Sequence, residues 1–164
     1  MQIRKTLESD IPAVMTIFDA ARAFMRAHGN LNQWPVGTPS LETVEGDVFA
    51  GASYVCEEGG RVVATFAFLP GPDPTYARIE GEGWHGDGPY SVLHRVASDG
   101  SAHGVTAAMF AFAKERSHVL RIDTHEDNVP MQNAIRKAGF APCGVIHLEN
   151  GDPRVAFDWV DRRR

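Results

Sequence analysis

Apolar residues along the chain follow two kinds of pattern, and these divide it into helices and strands. A spacing of three to four residues predicts helices at 11–28, 41–50 and 105–117 and within 125–140. Short apolar runs bounded by turn residues predict seven strands, at 2–6, 52–57, 61–69, 90–97, 120–124, 141–148 and 154–160.

Turn and cap residues separate these elements. Ser40 is placed to cap the second helix, and Gly139 is placed to end the last one. Two hairpin turns are predicted, at 58–60 (Glu-Gly-Gly) and at 150–151 (Asn-Gly), because glycine supplies the positive φ that such turns need. Strands joined by these turns should pair antiparallel.

The stretch 90–140 reads as strand, loop, helix, strand, helix. Two strands joined by one such helix form a right-handed βαβ unit with parallel pairing. The amides at the start of its helix then face the carboxyl ends of the strands, where open α/β sheets bind phosphate-bearing ligands. The sequence therefore predicts one α/β domain over residues 1–164, with a mixed sheet that is antiparallel at first and parallel in the middle.

Composition narrows the class of protein. The 164 residues are 43% hydrophobic and 23% charged, with a formal net charge of −5. No basic run precedes the three terminal arginines, so nucleic acid is not an expected partner. No apolar run is long enough to cross a membrane, and the N-terminus lacks the apolar core of a secretion signal. Cys56 and Cys143 are expected to be ordinary core residues of a cytoplasmic protein, with no metal site.

Two loops carry candidate substrate-binding residues. Gln33 and Trp34 lie in the Pro- and Gly-rich stretch 30–40 and could line a substrate pocket, or Trp34 could seal the end of the core. The stretch 70–89 is long for a compact domain. Its Glu80 and Trp84 would suit a lid over a cationic amine. The alternative is that the stretch is an ordinary surface loop.

Three motifs in the second half of the chain resemble one enzyme family. They are HRVAS at 94–98, the loop around Gly104, and THEDNVPMQNAIRKAGF at 124–140, in which an Asn after a strand precedes a helix ending in Gly-Phe. With the order of elements, these resemble the GCN5-related N-acetyltransferase (GNAT) family. The resemblance implies a sheet of about seven strands, with helices on both faces and a central parallel pair splayed apart. Acetyl-CoA would enter the gap between the strands ending near Ala97 and Thr124.

The resemblance and the physical reading assign the same cofactor site. Consecutive amides at the helix start can bind a pyrophosphate, and the free strand edge can pair with the pantetheine arm. Asn128 offers its amide to the same arm. The cofactor-binding set is Val96, Ala97, Ala102, His103, Gly104, Val105, Thr106, Asn128 and Met131. The family's first loop position, normally Arg or Gln, is Ser101 here, and its last, normally Gly or Ala, is Thr106.

The implied reaction is direct attack of an amine on the thioester in a ternary complex. His94 is the first candidate base, because it titrates near neutrality and lies on the central strand. His125 and Glu126 are second candidates. Each has a structural alternative: His94 as a core histidine bonded to a carbonyl, and the other two as caps of the following helix.

The general acid is the open question in this chemistry. Many family members have a Tyr seven residues after the Asn, where this chain has Ile135. Tyr90 could replace it if its hydroxyl points into the gap. Asp123 is expected to pair with Arg95 or Arg121 rather than to do chemistry.

Two functions remain open on the sequence. The first is an acetyl-CoA-dependent N-acetyltransferase acting on an amine of a small molecule or a protein. The second is a non-catalytic acyl-CoA-binding sensor or interaction domain of the same fold. An exposed edge among the last strands would allow a homodimer.

Overall fold

A computed structural model of the protein describes residues 1–163, and within them the chain forms seven strands and four α-helices. The strands are β1 (Gln2–Lys5), β2 (Ser53–Glu58), β3 (Arg61–Pro70), β4 (Ser91–Ser98), β5 (Val119–Thr124), β6 (Ala141–His147) and β7 (Pro153–Val160). The helices are α1 (Ile11–Ala27), α2 (Leu41–Phe49), α3 (Val105–Lys114) and α4 (Val129–Lys137). Single 3₁₀ turns lie at Glu8–Asp10 and Pro74–Tyr76.

All seven strands form one sheet in the order β1-β2-β3-β4-β5-β7-β6. Only β4 and β5 are parallel among the pairs formed by the described residues, and the other pairs are antiparallel. The predicted mixed sheet with a central parallel pair is therefore confirmed. Each predicted strand end lies within one residue of the observed one.

Helices cover both faces of the sheet, as expected. Helices α3 and α4 pack on one face over the larger core, whose fully buried members include Phe66, Met109, Phe110, Ile135 and Phe157. Helices α1 and α2 cover the other face, where Val14, Ile17, Phe18 and Val44 pack with Val55 of β2. The apolar stripe of α1 follows from residues spaced three and four apart, which point to the same side of a helix.

The predicted caps form where the sequence places them. The Ser40 hydroxyl accepts a hydrogen bond from the Thr43 amide at 3.2 Å and so starts α2. Gly139 adopts φ 82° after α4, which lets the Phe140 amide bond back to the Ile135 carbonyl. Helix α3 ends at Lys114, three residues earlier than predicted, because the chain must turn before β5 begins at Val119.

The segment 71–90 does not hang free over the sheet. Glu80 forms an isolated antiparallel bridge with Val145, and the Gly83 amide bonds to the Cys143 carbonyl. A Cβ on Gly144 would lie 1.9 Å from the Glu80 carbonyl oxygen, so only glycine permits this approach. The segment is therefore packed along β6.

Within residues 1–163, no helix combines the length and the apolar character that crossing a membrane requires.

Candidate active site

The central parallel strands separate soon after they pair. Strands β4 and β5 are in register only at Ser91 with Leu120 and at Val92 with Arg121, although β4 continues to Ser98 and β5 to Thr124. The rest of this pair is splayed, as the family resemblance implies. The cleft-facing edge of β4 beyond Val92 is therefore open to pair with something other than β5.

A bulge in β4 lies at the mouth of this cleft. On the β3 side, register passes from Ala67 with His94 to Thr65 with Ala97, which leaves Arg95 and Val96 without Cα partners on β3. Arg95 has φ 53°, the one positive φ of a non-glycine residue in the described chain. Such a conformation costs on the order of 1 kcal/mol or more for a side chain of this kind. The bulge releases backbone groups next to Val96 from the sheet.

The strained residue is held by an ion pair across to α2. Arg95 donates from Nε and a terminal nitrogen to the two carboxylate oxygens of Asp47, at 2.7 and 2.8 Å. This bidentate geometry fixes a planar guanidinium in one orientation. Asp47 therefore holds the bulge in place from outside the sheet, and nothing in the sequence pattern pointed to it.

Two cavities meet in the cleft. One, of about 260 Å³, lies between α1, β4, α3 and α4, and the other, of about 390 Å³, lies between β4, β5 and the loops that follow α1 and β3. Both are lined by Met25, Val96, Asn128 and Met131. The smaller cavity is on the side of the predicted cofactor loop. The larger one, called the acceptor cavity below, is on the side of His94.

The loop before α3 has free backbone donors next to the smaller cavity. Gly104 takes a left-handed conformation, φ 72°, and α3 begins directly after it. Within residues 1–163, the amides of 102–106 have no hydrogen-bond acceptor. Free amides at a helix N-terminus suit a phosphate group. The amides of Gly100 and Ser101 are instead bonded to Ser98 and Asp99.

The predicted cofactor-binding residues divide into two groups. Val96, Ala97, Thr106, Asn128 and Met131 line the smaller cavity. Ala102, His103, Gly104 and Val105 lie beside it in the loop and first turn of α3 and do not line it. The open strand edge, the free amides and a cavity that ends at Val96 fit the shape of acetyl-CoA, whose pantetheine arm can pair with β4 and whose pyrophosphate needs donors.

Asn128 is used for structure as well as for lining the cleft. Its side-chain oxygen accepts from the Met131 amide and so caps α4, and its Nδ2 donates to Gln33 Oε1 at 2.9 Å. Gln33 Oε1 also accepts from Asn30 Nδ2 at 2.7 Å. These bonds fix the Gln33 carboxamide, so its nitrogen is directed away from them. Gln33 and Trp34 both line the acceptor cavity.

His94 is part of a carboxylate network in the acceptor cavity. Its Nε2 lies 2.7 Å from Asp73 Oδ2, and its Nδ1 lies 3.9 Å from Asp123 Oδ1. Asp73 Oδ1 accepts from the amide and hydroxyl of Thr75. The hydrogen bond from His94, together with those from Thr75, lowers the Asp73 pKa to about 2. An ionised Asp73 favours the tautomer with the proton on Nε2, which leaves the Nδ1 lone pair facing the cavity.

Asp123 does not pair with Arg95 or Arg121, and that expectation was wrong. It accepts from the Tyr76 hydroxyl at 2.6 Å, whereas Arg95 pairs with Asp47 and Arg121 donates to the Gly86 carbonyl. Burial of Tyr76, with the nearby Asp123 charge, holds the pKa of its phenol well above the ordinary value. Tyr76 is therefore a fixed donor to Asp123.

A buried cation, Arg154, also lines the acceptor cavity. It lies at the start of β7 and is 5% exposed. It donates to the carbonyls of Pro153 and Gln33, at 2.8 and 3.3 Å, and among the described residues it forms no ion pair. Burial lowers its pKa from the ordinary value. The nearby charges of Asp123 and Asp152 act in the opposite direction, so the acceptor cavity holds a buried cation together with carboxylates.

The remaining catalytic candidates lie outside both cavities. His125 accepts the Asp127 amide at 3.0 Å and belongs to the turn before α4, and the Glu126 carbonyl accepts from Gln132 Nε2. The Tyr90 hydroxyl accepts the Asp73 amide at 2.8 Å, and its ring stacks on Arg121. These contacts direct the side chains of His125 and Tyr90 to structural partners, and Glu126 is bonded through its backbone carbonyl.

The loop candidates and the family's acid position also lie away from the cavities. Glu80 is exposed beside β6, and Trp84 donates to the Tyr76 carbonyl and stacks on Arg121. Ile135, at the position where many family members have Tyr, is fully buried in the larger core. Sequence reasoning missed Asp73 and Arg154, which reach the cavity from a loop and a strand far from His94 in the chain.

Comparison with known proteins shows which solved structures this protein resembles. No known family profile and no curated protein matches the sequence. A GNAT-family acetyltransferase of known structure from Streptococcus agalactiae is 28% identical, with a TM-score of 0.87, over 99% of this chain and 96% of that one. The chain has the fold of GNAT-family acetyltransferases and is similar to this one over nearly its whole length. The likeness also supports acetyl transfer as the general activity of this protein.

More distant structures share the fold. A ribosomal-protein-alanine N-acetyltransferase from Brucella melitensis is 22% identical, with a TM-score of 0.63, over 98% of this chain and 99% of that one. The protein yncA from Salmonella typhimurium, solved with its cofactor acetyl-CoA, is 15% identical, with a TM-score of 0.63, over 100% and 95% of the two chains.

Proposed function

We propose that the protein is an acetyl-CoA-dependent N-acetyltransferase in which His94 deprotonates the acceptor amine. The observation that carries this proposal is the meeting of the two cavities at Val96, with His94 and its carboxylate partners on one side. The thioester supplies an activated acetyl group when acetyl-CoA is bound. The chain holds the two reactants together and moves the proton.

The cofactor would lie along the open edge of β4. Its pantetheine arm would pair with the backbone at Val96 and Ala97, and the amides of 102–106 would bind the pyrophosphate. Met131 and Asn128 would cover the arm from α4. The backbone N–H groups released by the bulge would then stabilise negative charge on the thioester oxygen.

The amine would enter the acceptor cavity beside His94. An incoming ammonium group is attracted by Asp73 and Asp123, and the 3.9 Å gap between His94 Nδ1 and Asp123 Oδ1 lets one proton donor contact both atoms. The ammonium first gives one proton to solvent through His94; as the amine nitrogen then bonds to the thioester carbon, His94 Nδ1 takes a second N–H proton, and the Asp73 carboxylate stabilises the imidazolium that forms. Because Ile135 supplies no acid, the same imidazolium would return the proton to the departing thiolate.

Arg154 limits the kind of acceptor that fits. A buried guanidinium bonded only to carbonyls is best compensated by an anion. The acceptor would therefore carry an acidic group, such as a carboxylate, as well as the amine. Gln33, with its carboxamide fixed by Asn30 and Asn128, would add a donor on the same side.

Release of free CoA across a panel of amines tests the proposal. We expect acetyl-CoA to bind and thiol to be released with at least one amine. The His94→Gln variant should release it on the order of 10²-fold more slowly, with unchanged acetyl-CoA affinity. Tight acetyl-CoA binding without release from any amine would instead identify a sensor or interaction domain. Failure to bind acetyl-CoA would overturn both functions.

A further inference from the structure

Three metal-ligand atoms converge far from the acceptor cavity. His85 Nδ1, Cys143 Sγ and the Asp158 carboxylate all lie within 4.8 Å of one another. The three residues come from the 71–90 segment, β6 and β7. Asp158 is in register with Arg121, which pairs with Val92 where β4 and β5 are still joined. The cluster is thus on the closed side of the sheet, away from the cleft.

Cys143 Sγ and the Asp158 carboxylate approach the same ring nitrogen of His85, while the Cys143 thiol donates to the Ala141 carbonyl at 3.5 Å. Cys143 Sγ lies 3.4 Å from His85 Nδ1, and Asp158 Oδ1 lies 2.8 Å from the same nitrogen. A ring nitrogen carries at most one hydrogen, which cannot point at the sulfur and the oxygen together. A cation in place of that hydrogen can contact all three atoms at once.

One of the three separations matches that around a tetrahedral zinc ion, a second is shorter, and the third is within 4.8 Å. Zinc bonds of about 2.3 Å to sulfur and about 2.0–2.2 Å to nitrogen and oxygen place neighbouring ligand atoms roughly 3.3–3.6 Å apart. The sulfur–nitrogen distance of 3.4 Å already agrees. The nitrogen–oxygen distance of 2.8 Å would open by about 0.5 Å on loss of the hydrogen between them. A mixed N, S and O set is one that zinc accepts.

The groups around the cluster orient it as a metal site requires. The second carboxylate oxygen of Asp158 accepts the amides of His85 and Gly86, at 2.6 and 3.2 Å, so Oδ1 faces the other two ligands. The second ring nitrogen of His85 lies 3.3 Å from a carboxylate oxygen of Glu82. A carboxylate on the outer nitrogen of a ligand histidine fixes its tautomer and raises its basicity.

The cluster is largely buried, but solvent can reach one side of it. Cys143 and Asp158 are each 1% exposed, whereas the His85 side chain is 27% exposed. A cavity of about 340 Å³ adjoins the cluster, with His85, Asp158 and Asp161 on its wall. Solvent can therefore reach the side of His85 and Asp158 and supply a fourth ligand.

We propose that His85, Cys143 and Asp158 bind a structural Zn²⁺ ion that ties the 71–90 segment to β6 and β7. Binding replaces the thiol proton of Cys143, which leaves to solvent, and uses the His85 Nδ1 lone pair while Nε2–H donates to Glu82. The sequence-based expectation of no metal site was based on cysteine-rich sites, for which two cysteines are too few. This site needs a single thiolate.

Cobalt and zinc titrations of the metal-free full-length protein test the site. We expect one equivalent of Co²⁺ to give a thiolate-to-metal charge-transfer band, Zn²⁺ to displace it, and Zn²⁺ to raise Tm. Cys143→Ser should abolish the band. Cys56→Ser is the matched control, because Cys56 is equally buried but lies in the larger core, and it should keep the band.

Two further variants keep the test decisive if Cys143→Ser folds poorly. His85→Gln keeps the backbone amide that bonds to Asp158 but loses the ring nitrogen, and it should lose Zn²⁺ affinity with little change in metal-free Tm. Glu82→Gln should weaken Zn²⁺ about 10-fold or more. The proposal is overturned if wild type gives no thiolate band, or if His85→Gln and wild type bind Zn²⁺ equally.

Discussion

Asp73 reaches His94 from the loop after β3, and its carboxylate accepts hydrogen bonds from the imidazole and from Thr75. A carboxylate in this position orients the ring and stabilises its protonated form, so Asp73 acts through His94 rather than on the substrate. Arg154 is the buried cation that lines the same acceptor cavity. At the scale of single residues, the proposed chemistry depends on these two charges.

Replacing Arg154 tests the choice of acceptor. We expect Arg154→Met to raise KM about 10-fold or more for an amine that carries a carboxylate, since a hydrogen bond to a charged group contributes about 1.5–3 kcal/mol. KM for the matching amine without the carboxylate should change little. The free energy of unfolding should also change little, because burying an unpaired cation is itself costly.

Arg26→Met serves as the control, because Arg26 is an exposed arginine on α1. Steady-state kinetics on matched pairs of amines give the comparison. Equal KM increases for both members of a pair would mean that Arg154 has a general structural role and does not select the acceptor.

Acid titration tests the Asp73 contact. The folded-state pKa of about 2 is below the ordinary value of 3.8, so the contact stabilises the fold above pH 3.8 and is lost as the pH falls towards 2. Asp73→Asn should lower the free energy of unfolding at neutral pH by less than about 2 kcal/mol, since solvent partly screens the pair. Urea unfolding at a series of pH values should show this difference shrinking below pH 3.8, and a difference independent of pH would contradict the assignment.

Strand β4 shows how one element makes the cleft. Its bulge at Arg95 shifts the register with β3, and the ion pair to Asp47 on α2 holds the backbone there. Helix α4 closes the other side, starting at Asn128, which touches both cavities. An apolar strand pattern predicts where β4 begins and ends, but an arginine with positive φ leaves no mark in that pattern, because residues far along the chain stabilise it.

Comparing variants of two helix caps can distinguish an effect on stability from an effect on cofactor binding. Asn128→Ala and Ser40→Ala each remove a side-chain N-cap, and each should cost about 1 kcal/mol of stability. Asn128 lines the smaller cavity and Ser40 does not. Acetyl-CoA affinity, measured by calorimetry, should therefore fall several-fold in Asn128→Ala alone. Equal affinities in the two variants would place the cofactor elsewhere.

For the whole molecule, periodicity and turn residues were enough to predict the order of elements, because each helix and strand buries one continuous apolar face. The candidate site was predicted in part. Val96, Asn128, Gln33, Trp34 and His94 line the cavities as local motifs suggested. Glu80 and Trp84 do not, because the segment that carries them packs along β6, and this docking depends on Gly144 and Val145 far along the chain. Contacts between distant segments are not encoded in local spacing.

Amide hydrogen exchange followed by NMR, with and without acetyl-CoA, tests the central claim most directly. The claim is that the splayed pair of β4 and β5 binds acetyl-CoA along the open edge of β4. We predict that the ligand slows exchange at Val96 and Ala97 and at the amides of 102–106, and leaves exchange at β1 and β2 unchanged. Slowed exchange confined to other parts of the chain, or none at saturating acetyl-CoA, would contradict the account.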